Sequence, residues 1–207
     1  MTDLAGATDK AETTIRVGTA APVPTIASPA AGATAAVGGV VSFSGGAITP
    51  GVGDLPASVL SWWADMLHCP TVDQCHRHPD VFAANGVASG SFVMPDHEYP
   101  AYLELHLSAT WQGETATATR RIDYRTVDVT LAADAPGVEL TLAGETAPAP
   151  VTRSLPVGST VSVSAPETLI GEQGTFLFVS WSDGGARAHD IVVGAVPPPL
   201  TAHYVAG

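Results

Sequence analysis

The chain has 207 residues, enough for one large domain or two small ones, and a formal net charge of −12 with a single lysine, Lys10. Because phosphate binding needs clustered cations, this charge argues against a nucleic-acid partner. The sequence contains no run of about 18 apolar residues, which argues against a membrane-spanning helix. Only 14% of the residues are charged, and the 21 glycines and 17 prolines favour many short strands joined by turns.

Residues 1–19 are predicted to be a tail or the last strand of a preceding module. Residues 11–18 alternate in hydropathy like a strand but have no partner before them. The first residues lack the basic and apolar regions of a signal peptide. We therefore expect any secretion signal to lie upstream, in a longer parent protein.

A first series of strands is predicted between residues 20 and 125. A Pro-rich joint at residues 20–24 leads into alternating segments with Gly, Pro, Asn or Asp near most of the breaks. These segments are 40–44, 59–66, 87–93, 102–109 and 115–124. Short strands separated by turn residues are typical of a β-sandwich, so residues 20–125 are predicted to form an immunoglobulin-like or PKD-like sandwich.

A second series of strands is predicted in residues 126–207. Its alternating segments are 127–131, 138–142, 151–154, 160–164, 176–181, 190–193 and 200–205. This density of short strands predicts a second, smaller β-sandwich module. The predicted fold class is therefore all-β, with two tandem β-sandwich modules. Because no linker separates them at Arg125-Thr126, we expect the modules to pack rigidly end to end.

The two cysteines lie in the most distinctive stretch of the sequence. Cys69 and Cys75 enclose five residues, a spacing that suits a small disulfide loop or, in the reduced state, a contribution to a metal site. Few charges and many turns are typical of a secreted module, in which a disulfide persists. We therefore predict a Cys69–Cys75 disulfide and a secreted, extracellular location.

Four of the seven histidines surround these cysteines and form a candidate metal site. His76 and His78 are two residues apart, so on an extended segment their side chains project to the same side. A disulfide brings His68 close to His76, and His97 can approach from across the sheet. Imidazole is a good ligand for zinc or copper, so the four histidines are predicted as candidate ligands for either metal.

Two acidic residues accompany this candidate site, and a second interpretation competes with it. Asp96 or Glu98 could serve as outer partners of the ligands. The competing interpretation is a disulfide-pinned structural loop whose histidines bond to backbone carbonyls. The sequence favours this structural loop, because the spacing matches no standard zinc motif and a disulfide removes both thiolates as ligands.

Trp63 is the centre of a second candidate site. Strand parity puts Trp63 on the outer face of its strand, and Tyr102 and His106 share that face if their strand is its neighbour. An exposed indole flanked by polar groups stacks on sugar rings, so these residues are predicted to bind carbohydrate, with Trp111 in a hairpin turn as a further surface candidate. The alternative is that Trp63 packs beneath the loop of the two cysteines or against the second module.

Several of these stretches carry a resemblance to a known class of module. Residues 24–45, the Leu60-Ser61-Trp62 strand, the loop of the two cysteines and residues 95–105 resemble a PKD-like, immunoglobulin-like module. Such modules are appended to secreted bacterial sugar dehydrogenases of the PQQ-dependent glucose/sorbosone type and to other extracellular carbohydrate-active proteins. Residues 178–189 resemble the small β-module that often follows. The resemblance implies an accessory role, and the catalytic propeller of those enzymes is not part of this chain.

The predicted function follows from these features. The sequence holds no nucleophile elbow, P-loop or dinucleotide fingerprint, so we predict that the chain is not an enzyme. We expect a non-catalytic extracellular accessory module that binds polysaccharide or spaces a neighbouring catalytic domain. The alternatives are a zinc- or copper-binding module centred on the four histidines, with no other cofactor expected, and a purely structural spacer.

Overall fold

The computed structural model of the protein describes residues 20–71, 74–171 and 174–207. Over these residues the chain is all-β, as predicted, with one 3-10 turn (Ala57–Val59) and no α-helix. No helix in the described part of the chain is long and apolar enough to cross a membrane. The tail or strand predicted at residues 1–19 lies outside the described residues.

The described strands fall into two groups along the chain. Those before residue 125 are β1 (Val23–Ser28), β2 (Thr34–Ala35), β3 (Val40–Thr49), β4 (Gly53–Asp54), β5 (Leu60–His68), β6 (His76–Asn85), β7 (Ser89–Val93), β8 (Ala101–Trp111) and β9 (Glu114–Tyr124). Those after it are β10 (Thr126–Ala133), β11 (Glu139–Leu142), β12 (Glu145–Pro148), β13 (Val151–Pro156), β14 (Thr160–Ser164), β15 (Thr168–Gly171), β16 (Gly174–Trp181), β17 (Ala188–Val192) and β18 (Leu200–Ala206).

The first group of strands forms two sheets around one core. One sheet has the order β1-β3-β4, with β7 also paired to β3, and the other has the order β2-β9-β8-β5-β6. Both sheets contribute to the core, because Phe43 of β3 contacts Trp62 of β5 with ring centroids 4.7 Å apart. Alternation along β8 puts Leu103, Leu105 and Leu107 in this core, where all three are fully buried.

The second group of strands also forms two sheets around a core of its own. Their orders are β13-β10-β18-β16-β15 and β12-β11-β14-β17. Leu140 and Leu142 of β11 face Leu131 and Trp181 of the other sheet within this core. The Trp181 indole N–H donates to Arg187 O at 3.0 Å, so its polar edge is satisfied although the side chain is buried. The buried residues of the two cores are separate sets.

The two groups of strands meet through their backbones. Arg125 alone separates β9 from β10, and its carbonyl accepts from Val157 N–H at 2.8 Å. Val37 N–H in turn donates to Val157 O at 2.9 Å. A Cβ at Gly158, whose φ is +87°, would lie 2.6 Å from Val37 O, so this close approach requires glycine. The predicted rigidity of the junction is a separate property, and it stays a prediction.

Several strands differ from the predicted ones, and two of these differences bear on the site or the boundary of the first group. β1 begins at Val23, inside the segment predicted as a Pro-rich joint. β6 begins at His76, so His76 and His78 lie on a strand where a loop was predicted. The sequence of β6 does not have the pattern of a strand. It begins with polar residues and contains Pro79, which has no N–H to donate to a neighbouring strand. An edge strand tolerates such a residue, and β6 pairs with β5 alone.

Candidate metal centre

The end of the β5–β6 hairpin places three histidines on one side of the sheet. His68 lies directly opposite His76, and Met66 lies directly opposite His78. Residues opposite each other on paired strands point to the same face. These four side chains therefore form two adjacent cross-strand pairs on one face of the hairpin. That face is the one toward the first core, where Met66 and His68 are buried.

The turn that holds this hairpin end is closed covalently. A Cys69–Cys75 disulfide, as predicted, joins the residue after His68 to the residue before His76, with the two Cα atoms 4.0 Å apart. Cys69 N–H donates to Pro100 O at 2.9 Å, which ties the turn to the segment that leads into β8. The disulfide therefore fixes two of the predicted ligands across the hairpin.

The fourth histidine comes from the segment between β7 and β8. The His97 ring centroid lies 5.1 Å from that of His68 and 4.7 Å from that of His78. His76 lies 4.8 Å from both His68 and His78. The four rings thus form a closed circuit, called here the histidine cluster (His68, His76, His78 and His97). The structure brings together all four residues that the sequence predicted as metal ligands.

These separations match the spacing of imidazoles around one metal ion. With a metal–nitrogen distance of about 2.0–2.1 Å, two imidazole centroids lie roughly 5.2 Å apart on a tetrahedral ion. The rings themselves pack edge to face, at interplanar angles from 57° to 75°. Within the described residues, no group of three or more His, Cys, Asp or Glu side chains is placed to hold a metal ion. Coordination would therefore require the rings to move from the positions seen here.

The electrostatic surroundings favour a neutral ring at His68. Burial lowers the pKa of His68, and the neighbouring His97 and His76 lower it further, while Glu98 acts in the opposite direction. The neutral imidazole is the form that binds a metal. His97 Nδ1 lies 3.1 Å from the Glu98 carbonyl oxygen, the one hydrogen-bond contact found for a cluster ring among the described residues.

A cleft opens beside the cluster, between the two groups of strands. Its volume is about 780 Å³, and His68, His97 and Glu98 line one side of it. The other side includes residues 143–145 and 159–162. Asp96 Oδ2 accepts from Thr160 N–H across the cleft at 3.5 Å. The segment that carries His97 therefore also contacts the second group of strands.

The residues predicted to bind carbohydrate do not form one cluster. Trp63 is opposite His106 on the neighbouring strand, and the two rings stack 4.8 Å apart at 13°. Tyr102 shares their outer face, as predicted, but it is four residues further along β8, about 13 Å away, and the Arg121 guanidinium lies 3.7 Å from its ring centroid. Trp111 packs against the first core. The structure thus brings Trp63 and His106 into contact and places Tyr102 further along the same face.

Sequence reasoning missed a buried carboxylate next to the Trp63–His106 stack. Asp65 is fully buried, and its Oδ1 accepts from Asp80 N–H at 3.0 Å. Its Oδ2 lies 2.5 Å from Arg77 Nη2 and 3.1 Å from His106 Nε2, although neither contact involving Oδ2 has hydrogen-bond geometry. Alternation along β5 predicts an exposed aspartate here, so the covering side chains of β6 and β8 are what bury it.

Comparison with known proteins gave no match among protein-family models, curated proteins or solved structures. The resemblance to PKD-like modules of secreted sugar dehydrogenases therefore stays a prediction.

Proposed function

We propose that this chain is a non-catalytic module that binds one zinc or copper ion through the histidine cluster. The observation that carries the proposal is the closed circuit of four imidazoles, each 4.7–5.1 Å from its neighbours. Imidazole is a preferred ligand of zinc and copper, and burial of His68 favours its neutral form. The geometry thus gives more support to the metal-binding alternative than to the structural loop that the sequence favoured.

A closed coordination sphere explains why the proposed function is not catalytic. Catalytic zinc sites keep one position open for water or substrate, whereas structural sites use four protein ligands. Four imidazoles fill a tetrahedral ion. The ion would then join the β5–β6 hairpin to the segment of His97, which contacts the second group of strands through Asp96.

We also propose a division of the chain into two modules. We take residues 20–125 and 126–207 as two β-sandwich modules, because each range has its own buried core built from two sheets. The disulfide supports an extracellular location, since such bonds persist in oxidising compartments. An accessory module beside a catalytic domain of a carbohydrate-active protein remains the proposed setting.

Metal retention tests the proposed function. The purified chain is incubated with Zn²⁺ or Cu²⁺, dialysed and analysed for metal, and we expect about one ion per chain. The His76→Ala/His78→Ala variant should retain almost none. The His189→Ala/His203→Ala variant is the matched control, because it removes two histidines far from the cluster and should bind like the parent. Retention of the same metal by all three proteins, or by none, would contradict the proposal.

Carbohydrate binding is the second candidate function, and one observation favours it. Trp63 and His106 stack on the outer face of their sheet, where Trp63 is half-buried, and an accessible indole face can stack on a sugar ring. Affinity electrophoresis in soluble polysaccharides should show retardation that Trp63→Ala abolishes. The absence of retardation across a broad panel would remove this candidate and leave the metal site unaffected.

A further inference from the structure

The two cross-strand pairs at the end of the β5–β6 hairpin comprise three histidines and one methionine, Met66. Met66 precedes His68 by two residues on β5 and lies opposite His78 on β6, so it adjoins two of the proposed ligands. Cross-strand neighbours have Cβ atoms about 4.5–5.5 Å apart, a distance that a methionine side chain can span. From this placement we infer that the site selects copper, because a four-coordinate Cu(I) ion could take the Met66 thioether in place of one of the four imidazoles. The inference rests on the proposed metal site.

The position of the Met66 sulfur supports this role. Tyr124 Oη lies 3.8 Å from Met66 Sδ and donates a hydrogen bond to Pro95 O at 2.8 Å. Pro95 is two residues before His97, so the sulfur lies beneath the segment that carries the fourth histidine. The hydroxyl of Tyr124 therefore links Met66 to that segment and limits the positions that the thioether can take.

Ligand softness makes copper the metal that this combination favours. Thioether sulfur is a soft donor that stabilises Cu(I), whereas zinc is satisfied by four imidazoles and gains little from a thioether. Imidazole nitrogen binds both oxidation states of copper. A site that offers a thioether beside its imidazoles thus discriminates between Cu(I) and zinc, and Met66 is the residue that determines the specificity.

A second buried methionine provides a matched control. Met94 belongs to the same core and is as fully buried as Met66, but it lies in the chain before the His97 segment and its backbone N–H donates to Gly39 O. Replacing either methionine by leucine keeps volume and hydrophobicity nearly constant. The two variants therefore have similar effects on packing and differ in whether the thioether beside the cluster is lost.

The test measures Cu(I) and Zn²⁺ affinity of the full chain and both variants. Cu(I) is supplied anaerobically as its acetonitrile complex, without reductant, so that the disulfide stays intact, and a chromophoric chelator competes for it. Met66→Leu should weaken Cu(I) binding about tenfold or more and leave zinc affinity within about twofold. Met94→Leu should change neither.

Two results would overturn the inference in distinguishable ways. If Met66→Leu and Met94→Leu bind Cu(I) equally, or if Met66→Leu weakens zinc as much as Cu(I), the thioether does not select copper, although the histidine site stands. If the parent chain binds neither metal while its circular dichroism shows a folded protein, both the inference and the proposed metal site are wrong.

Discussion

The histidines of the second group of strands and those of the histidine cluster have different partners. After residue 125, His189 Nε2 lies 3.0 Å from Asp183 Oδ2 and its Nδ1 lies 2.7 Å from Ala186 O. His203 Nδ1 likewise lies 2.9 Å from Asp134 Oδ2. In the histidine cluster each ring contacts two other imidazoles, and among the described residues no side-chain contact to a carboxylate is found.

This difference separates structural histidines from candidate ligands. A carboxylate that bonds to an imidazole fixes its tautomer and orientation, so the ring completes a turn or ties two strands together. Asp183 serves such a turn, because it also accepts from Gly185 N–H at 2.9 Å. Imidazoles that face one another have lone pairs still available and repel one another when protonated. Such an arrangement is stable when the rings are neutral, and in the proposed function a metal ion would complete it.

We expect the two groups of strands to unfold separately, because each has its own core. Truncation of the buried tryptophan in each core tests this expectation. Trp62→Ala and Trp181→Ala should each lower the free energy of unfolding of one unit by about 3–5 kcal/mol, because each removes a large buried side chain. Urea unfolding followed by tryptophan fluorescence and circular dichroism should show two transitions. Trp181→Ala should shift one of them and leave metal binding intact.

Milder variants keep this test interpretable if a truncated chain does not fold. Trp62→Phe and Trp181→Phe remove less volume and should shift the same transitions by smaller amounts. A single cooperative transition that both substitutions move equally would show that the chain folds as one unit. The two-module interpretation would then be wrong, although the cluster would keep its geometry.

Metal stabilisation is the next largest effect expected. Zinc at a hundredfold excess over its dissociation constant should raise the free energy of unfolding by about 2.7 kcal/mol, because it binds the folded chain alone. His189→Ala/His203→Ala should retain this increase even if it is less stable without metal. His76→Ala/His78→Ala should lose it. Equal stabilisation of both variants by zinc would show that metal binds elsewhere.

The disulfide should contribute slightly less stability and also support the cluster. Closing a loop of this length stabilises a folded chain by about 2 kcal/mol in the chain-entropy treatment. Cys69→Ser/Cys75→Ser should therefore lower the free energy of unfolding by about that amount. It should also weaken zinc binding, because β6 is an edge strand and His76 is positioned by the closed turn. Calorimetric titration with zinc checks the second effect, and unchanged affinity would show that β5 pairing alone positions His76.

The sequence predicted the cores better than the surroundings of the cluster. Alternation predicted which side chains of β5 and β8 point away from the core, because this signal is local. The proximity of the four histidines was predicted as a possibility, since the cysteines bracket two of them. The position of Met66 opposite His78 was not predictable. It depends on the register between β5 and β6, and the polar sequence of β6 does not indicate a strand.

The smallest effect on stability is expected at Asp134, and its pH dependence tests the pairing between this carboxylate and His203. Burial alone would raise the pKa of Asp134, but the side chain of His203 and the backbone N–H of Tyr204 outweigh it and hold the pKa below its usual value. A carboxyl with a lowered pKa in the folded state stabilises the fold above its unfolded pKa of about 3.9, and this contribution disappears as the pH falls through the folded value.

The stability gap between the parent chain and Asp134→Asn should therefore depend on pH. Because both partners are substantially exposed, the gap at pH 7 should be under about 1 kcal/mol, and it should shrink as the pH falls below the unfolded pKa of about 3.9. Urea unfolding at pH 7, 5 and 3 measures it, with Asp190→Asn as the control at an exposed carboxylate of the same group of strands. A gap that stays constant down to pH 3 would mean that the ionised form of Asp134 contributes nothing to its pairing with His203. The distinction between carboxylate-bound and clustered histidines would then rest on geometry alone.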